Sequence, residues 1–303
     1  MKIWLHSPKE SWIVDRLVSE FVNDNSDIIT QYQSNADLIW FMAGWCIDQL
    51  QKTSIPVVST IHHIVEDKSS QRDHILKHDH LVSAYHVPNE RTQNQLQKLT
   101  KKPIITVPYW IDTKTWSKIT QIDRELARNS LGIDTTQYVI GSFQRDSEGF
   151  DNNIPKLEKG PDIFCDYVEN IAKQKNVLVL LSGYRRNYVM NRLKQANIKF
   201  IYLEQVPQMS MSWLYAALDL YVVSSRCEGG PQALLECAYL EVPIISTPVG
   251  LAENILDSKS INVDLTKAVP NIETASYKIQ NFITPHAYLE YRNMFTKILG
   301  ELK

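Results

Sequence analysis

The chain has 303 residues, of which 44% are hydrophobic and 22% charged, with a net charge of −2. That is enough chain for two globular domains, and the composition excludes a disordered or fibrous protein. The near-neutral balance gives no bulk charge for nucleic acid, the apolar run in MKIWLHSPKE is too short for a secretory leader, and no segment is long enough to cross a bilayer, so a cytoplasmic protein is expected.

Strands are expected at 2–6, 27–32, 36–43, 55–61, 81–87 and 104–107. Helices are expected between them at 11–22, 72–77 and 89–99, the first from Ile13, Leu17, Val18 and Phe21 on one face. Residues 108–121, rich in Trp, Thr and Lys, read as a linker. Beyond it come helix 123–131, strand 138–143, a polar loop over 144–158, helix 161–174, strand 177–182, helix 188–196, strand 198–203 and helix 212–218. Strands 220–223, 243–246 and 260–263 and helices 231–240, 271–282 and 286–299 complete the chain. Such alternation predicts doubly wound parallel sheets. The four cysteines have no metal or redox spacing, and Cys165 and Cys237 fall in apolar helical patterns as buried free thiols. Neither a dinucleotide fingerprint nor a P-loop follows any strand.

The most informative stretch is 220–251, LYVVSSRCEGGPQALLECAYLEVPIISTPVGL, a strand, a loop, a helix and a strand. Gly229 and Gly230 let backbone approach a ligand, and Pro231 suits the first helical position. The N–H groups and positive dipole end of that helix then form an anion site. Glu228 precedes the helix start, and Glu236 lies roughly 8 Å along its axis on an otherwise apolar helix. Acceptor-only groups on both sides of an anion site suit a ligand with hydroxyls at both ends and phosphate between, which is a nucleotide sugar. That reading fails if neighbouring basic side chains already hold both acids.

Glu228 and Glu236, with seven residues between them, and the later Pro248-Val249-Gly250 resemble the E-x7-E signature and glycine turn of retaining GT-B glycosyltransferases, the GT4-like family. The resemblance covers 135–260 well and 1–115 in outline. It implies an α/β GT-B fold of two facing Rossmann-like doubly wound parallel-sheet domains: an acceptor domain at 1–115, a donor domain at 116–285, and a helix at 286–303 crossing back. It implies transfer of a sugar from a UDP or GDP sugar to a glycan, lipid-linked or small-molecule acceptor, with no metal and no cofactor. No Asp-x-Asp metal pair occurs. By resemblance Glu236 holds the ribose hydroxyls, and Glu228 with Gly229, Gly230 and Pro231 holds the donor sugar and its anion. Arg145 and Lys159 neutralise the diphosphate, with Lys156 as a rival because 150–155 looks inserted. His62, or His63 beside it, faces the donor sugar. Gly183 and Tyr184 lie near the nucleotide, and the Val206 backbone near the base.

Three departures stand out. Gln144 replaces the usual glycine before the arginine, Tyr109-Trp110 replaces the Asn-Gly of P-N-G-V-D, and residues 7–12 lack the glycine-rich loop that follows the first strand in many relatives. Two other functions fit the same pattern: a nucleotide-sugar epimerase, and a non-catalytic module binding a nucleotide sugar or a protein. A membrane surface enters as a further partner through Lys98, Lys101 and Lys102.

Overall fold

The computed structural model describes residues 1–150 and 153–301. It divides into two compact units, Met1–Trp110 with Phe282–Lys303, and Ile111–Asn281.

In unit 1 the chain runs β1 (Ile3–His6), α1 (Ile13–Asp24), β2 (Leu38–Phe41), β3 (Val57–Thr60), α2 (Ser69–His78), β4 (Ala84–Val87), α3 (Glu90–Leu96) and β5 (Ile104–Thr106). The strands form one parallel sheet in the order β1-β2-β3-β4-β5. The strand expected at 27–32 is reduced to a single parallel bridge, Ile3 to Ile29. That bridge is held by Ile3 N to Ile28 O at 2.7 Å and Thr30 N to Ile3 O at 3.0 Å. It occupies the outer side of β1, so the chain winds to both sides of β1 and the sheet is doubly wound.

Unit 2 runs α4 (Gln121–Ser130), β6 (Tyr138–Phe143), β7 (Ser147–Glu148), β8 (Ile154–Pro155), α5 (Pro161–Ala172), β9 (Val177–Ser182), α6 (Asn187–Gln195), β10 (Lys199–Leu203), α7 (Gln208–Ala216), β11 (Leu220–Val223), α8 (Gln232–Leu240), β12 (Ile244–Ser246), α9 (Ala252–Ile255) and α10 (Ile272–Lys278). The main sheet is parallel, in the order β10-β9-β6-β11-β12. The strand expected at 260–263 is again one bridge, Ile261 to Ser246, in the sixth position. The polar loop expected at 144–158 contains the antiparallel hairpin β7–β8. Part of the insertion seen at 150–155 lies outside the described residues. Strands β9, β11 and β12 are buried along their whole length, which explains the continuous apolar runs such as VLVLLS in β9.

The last helix, α11 (His286–Glu301), belongs to unit 1. Its Tyr291 ring meets Trp40 at 5.5 Å and Trp110 at 5.0 Å, and Phe295 meets Trp40 at 5.1 Å. Arg292 pairs with Asp27 at 2.6 Å. The units change at 110/111 and 281/282, where sequence reasoning placed limits at 115/116 and 285/286. The reason lies in the Tyr109-Trp110 pair. Trp110 is fully buried in unit 1 and donates its indole N–H to Glu20 at 2.8 Å. Tyr109 is buried too, with its hydroxyl on His62. Neither residue has a positive φ, so the aromatic pair fills unit 1 where an Asn-Gly pair would have turned. Trp116, by contrast, packs on Tyr215 of unit 2 at 5.9 Å.

Beneath this cluster His86 is wholly buried on β4. One ring nitrogen contacts Thr60 Oγ1 at 3.0 Å, and the other donates to the Val107 carbonyl at 2.8 Å. Burial pushes its pKa down to about 4 from the ordinary 6.5, against the hydrogen bond to Val107. Between these values the unfolded chain binds a proton at this site that the folded chain does not. Unit 1 is therefore expected to lose stability as pH falls from 6.5 to 4, by up to about 3 kcal/mol from this residue. Urea midpoints followed by tryptophan fluorescence test it: the His86→Gln variant should show a shallower slope over that window.

Candidate functional site

In unit 2 the strand order reverses between β6 and β11, and open α/β sheets bind ligands beyond the carboxyl ends of the strands at such a reversal. Four turns meet there, drawn together by glycines. Gly160, at φ 59°, sits directly against the Ser224 carbonyl, where an added Cβ could not fit. A Cβ on Gly183, at φ 99°, would lie 2.9 Å from the Gln144 carbonyl, and one on Gly250 would lie 2.8 Å from Pro231 Cδ. Polar contacts fix the same turns. Arg226 N and Cys227 N donate to the Glu158 carbonyl at 2.9 and 3.1 Å. Gln144 Nε2 donates to the Lys159 carbonyl at 3.2 Å. Gln144 thus has a structural use at the position where glycine was expected.

The charged groups of the site follow. Lys159 Nζ meets Glu228 Oε1 at 2.6 Å, and the Ser225 hydroxyl donates to the same oxygen at 2.9 Å. Lys156 turns instead to Glu158, at 3.6 Å. The two candidate lysines are thereby separated, with Lys159 beside the glycine-rich turn. Arg145 follows β6, half-buried, with its Nε buried and lacking a partner among the described residues. A cation without a local counter-charge is unusual unless something else supplies the anion.

Two ion pairs that sequence reasoning missed support these groups. Arg186, fully buried, pairs with the equally buried Asp146 at 2.8 Å and donates to the carbonyl of Ser182 at 2.8 Å and the hydroxyl of Ser142 at 3.1 Å. It ties the ends of β6 and β9 together. Arg226 grips Asp162 of α5 through two nitrogens, at 2.8 and 2.5 Å. An arginine three residues past a strand-end glycine was the available signal for the first pair, but nothing in its spacing named Asp146.

Helix α8 begins at Gln232, one position later than expected, so Pro231 is the residue that caps it. Its carbonyl accepts from Leu234 N at 2.9 Å. Glu236 is buried and accepts from the Tyr215 hydroxyl at 2.6 Å. Burial and the adjacent Glu236 carboxylate push the Tyr215 hydroxyl well above its ordinary pKa, so it stays a donor. Of the two acids, Glu228 meets the Lys159 cation and Glu236 accepts from the Tyr215 hydroxyl.

Of the remaining candidates, Gly183 lies in the same cluster of turns, Tyr184 follows it with its side chain exposed, and Val206 is half-buried in the loop after β10. His62 belongs to unit 1. Its Nε2 donates to the Met42 carbonyl at 2.7 Å, and its Nδ1 accepts from Tyr109. Both ring nitrogens are committed, which does not suit a histidine expected to offer one to a sugar. His63 is half-buried beside it. All four cysteines are free and buried, and burial pushes the Cys165 thiol up to about 12. Among the described residues, no three His, Cys, Asp or Glu side chains come together to hold a metal ion. Two open depressions of about 630 and 760 Å³ lie at the other end of the unit 2 sheet, around Thr136, Gln137 and Asn176. They lie at the amino ends of the strands, away from the converging turns. No helix of the described residues is long and apolar enough to cross a membrane.

The family model "Glycosyl transferases group 1" matches residues 150–281, which includes α8 and both glutamates. No curated protein matches the chain. Among solved structures, Anabaena HepE in complex with UDP and glucose is similar with a TM-score of 0.77 at 12% identity, over 98% of this chain and 100% of that one. Sucrose-phosphate synthase of Thermosynechococcus elongatus gives 0.67 at 13% identity, over 98% of this chain and 81% of its own. S. aureus TarM, solved with Fondaparinux, alpha-GlcNAc-glycerol and UDP, gives 0.62 at 14%, over 93% and 58%. At these identities the likeness is one of fold, and it is the GT-B fold of two Rossmann-like α/β domains.

The convergence of turns makes Gly160 the most sensitive position of the site. Gly160→Ala must place a side chain at positive φ, which costs about 1 kcal/mol, and must also push the Ser224 carbonyl away. A loss of more than about 2 kcal/mol from the unit 2 transition is expected in chemical denaturation, against about 1 kcal/mol for Gly132→Ala, where φ is also positive (64°) but nothing lies within 4 Å.

Proposed function

We propose that the chain is a retaining, metal-independent glycosyltransferase that uses a nucleotide-diphosphate sugar as donor and a saccharide, lipid-linked or small-molecule acceptor. The observation that carries this is the joint placement, at the β6/β11 reversal, of an unpartnered arginine, a lysine, a glycine turn leading into a helix, and two carboxylates. Cations and helix N–H groups suit a diphosphate, and the carboxylates suit hydroxyls. The group 1 glycosyl transferase match over 150–281 supports the same reading. The presence of UDP in the HepE and TarM structures favours a uridine donor.

In this reading the bond from the anomeric carbon to the phosphate oxygen breaks, and its electron pair leaves with the diphosphate. Arg145 and Lys159 stabilise the charge that develops there, the role a metal plays elsewhere. Lys159 rests on Glu228 in the free protein. When diphosphate arrives, the lysine is shared with it, and Glu228 is left to accept from the donor sugar's hydroxyls. Glu236, whose partner Tyr215 is neutral, accepts from the ribose. Gly229 and Gly230 bring backbone close to the sugar. His62 is assigned no direct contact, since both its nitrogens are spent; it orders the turn after β3 instead. The protein acts in the cytoplasm, and the exposed Lys98 and Lys101 provide the only argument for contact with a membrane face.

The test separates the two acids. Glu228→Ala should lower turnover by at least about a hundredfold while leaving UDP affinity within a few fold. Glu236→Ala should weaken UDP binding itself, measured by calorimetry, by about tenfold or more. Small and equal effects from both would remove the assigned roles. Incubation with UDP and GDP sugars but no acceptor decides the reaction type: slow release of nucleotide fits transfer, a changed sugar fits epimerisation, and binding without turnover fits a non-catalytic module.

A further inference from the structure

Residues 69–80, SSQRDHILKHDH, hold three of the chain's eight histidines, and the donor chemistry proposed for unit 2 uses none of them. His74 and His78 stand four residues apart in α2, on one face of the helix. Both are half-buried, and their rings are neighbours, with centroids 4.3 Å apart and planes at 50°. Two helical histidines at this spacing can hold one metal ion between them.

The ring nitrogens are prepared for that. His78 Nδ1 donates to the His74 carbonyl at 2.9 Å, which fixes the tautomer and leaves the lone pair on Nε2. Metal-binding histidines anchor their second nitrogen on a carbonyl or carboxylate in the same way. His74 Nε2 is buried and has no hydrogen-bond partner among the described residues. A buried ring nitrogen without a partner costs free energy, and a cation coordinated there would remove that cost.

The helix supports the pair. His78 is its last residue, so the two rings lie in the turn whose carbonyls carry the partial negative charge of the helix end. That end favours a dication. The helix is also held on both sides of the pair. Val65 N donates to Gln71 Oε1 at 2.9 Å, and Gln71 Nε2 donates to the His63 carbonyl at 3.3 Å. Past the helix end, Asp79 accepts from the Tyr85 hydroxyl at 3.0 Å and the Thr100 hydroxyl at 2.6 Å. A helix anchored in this way keeps two ligands in register. Lys77, the adjacent cation, is exposed and long enough to swing away. His80 belongs to the next turn, with its Nδ1 on the Lys77 carbonyl at 3.1 Å.

Ligand chemistry selects the ion. Imidazole suits zinc, nickel and copper, whereas magnesium and calcium take oxygen ligands. Among the described residues no third His, Cys, Asp or Glu joins the pair, so water fills the remaining positions.

We propose that His74 and His78 form a two-histidine site for an exchangeable divalent ion of the zinc and copper class, which pins the last turn of α2. The ion takes no part in the donor chemistry proposed for unit 2, and the site stands whether or not that reading holds.

The experiment uses the metal-free full chain without an affinity tag. Zn²⁺, Cu²⁺ and Mg²⁺ are titrated by calorimetry near neutral pH, and the copper complex is examined by electron paramagnetic resonance. One Zn²⁺ or Cu²⁺ per chain should bind at about micromolar concentration, copper the tighter, and Mg²⁺ should not bind. The copper spectrum should show two imidazole nitrogens. His74→Ala and His78→Ala should each weaken binding about tenfold or more and leave a single nitrogen in the spectrum. Alanine favours the helix, so both variants should keep it, which circular dichroism checks. His80→Ala should change neither affinity nor spectrum. The proposal is overturned if the unaltered chain binds neither Zn²⁺ nor Cu²⁺ below millimolar concentration, if either α2 variant keeps the two-nitrogen signal, or if His80→Ala removes it.

Discussion

The backbone contact between Gly160 and Ser224 is the constraint on which the candidate site depends. It brings the turn before α5 against the turn after β11, with no space for even one methyl group. Once the two backbones touch, Glu158 can accept from Arg226 and Cys227, and Lys159 comes within 2.6 Å of Glu228. No side-chain interaction could bring them so close, because side chains occupy the space that glycine leaves open. The site is therefore assembled by the main chain first, and its charges are placed as a consequence.

Those charges are arranged to be redistributed on binding. Lys159 and Glu228 neutralise each other while the site is free of ligand, which avoids a costly isolated charge of either sign. Arg145 has no such arrangement. It directly precedes Asp146, which pairs with the buried Arg186, and its own buried Nε has no hydrogen-bond partner among the described residues. An arriving dianion would meet one unpaired cation and one cation that can be shared.

Much of the fold could be read from the sequence, and the failures have physical causes. The alternation of apolar runs and amphipathic helices located all ten strands of the two main sheets, most clearly where a strand is buried on both faces, as in β9 and β11. Residues 27–32 and 260–263 carry the same apolar signal, yet each contributes one bridge at a sheet edge, where tertiary geometry limits pairing. The hairpin β7–β8 was hidden because two-residue strands carry no periodicity. At the site, the glycine turn and both glutamates were legible from local spacing. The partners Tyr215, Asp146 and Arg186 were not, since contacts across 21 and 40 residues leave no local trace. His62 shows the same limit of local sequence. A histidine at a strand end looks the same in sequence whether its nitrogens face a ligand or are spent on Met42 and Tyr109.

The two units also show how one topology can be given opposite chemistry. Each sheet reverses beside its first strand, and each reversal leaves a crevice bordered by backbone N–H groups. In unit 2 the groups at that place are cations and a helix start, with acids set to the sides. In unit 1 the corresponding N–H groups are satisfied by Asp15, one turn into α1, so the nest carries its own anion. A glycine-rich loop leaves such a nest open for an external phosphate. Here the loop is SPKESW, and its cost in left-handed backbone at Lys9 and Ser11 is offset by three N–H bonds to a single carboxylate. The departure from a glycine-rich loop is therefore not a loss of structure: an internal anion, Asp15, fills the nest.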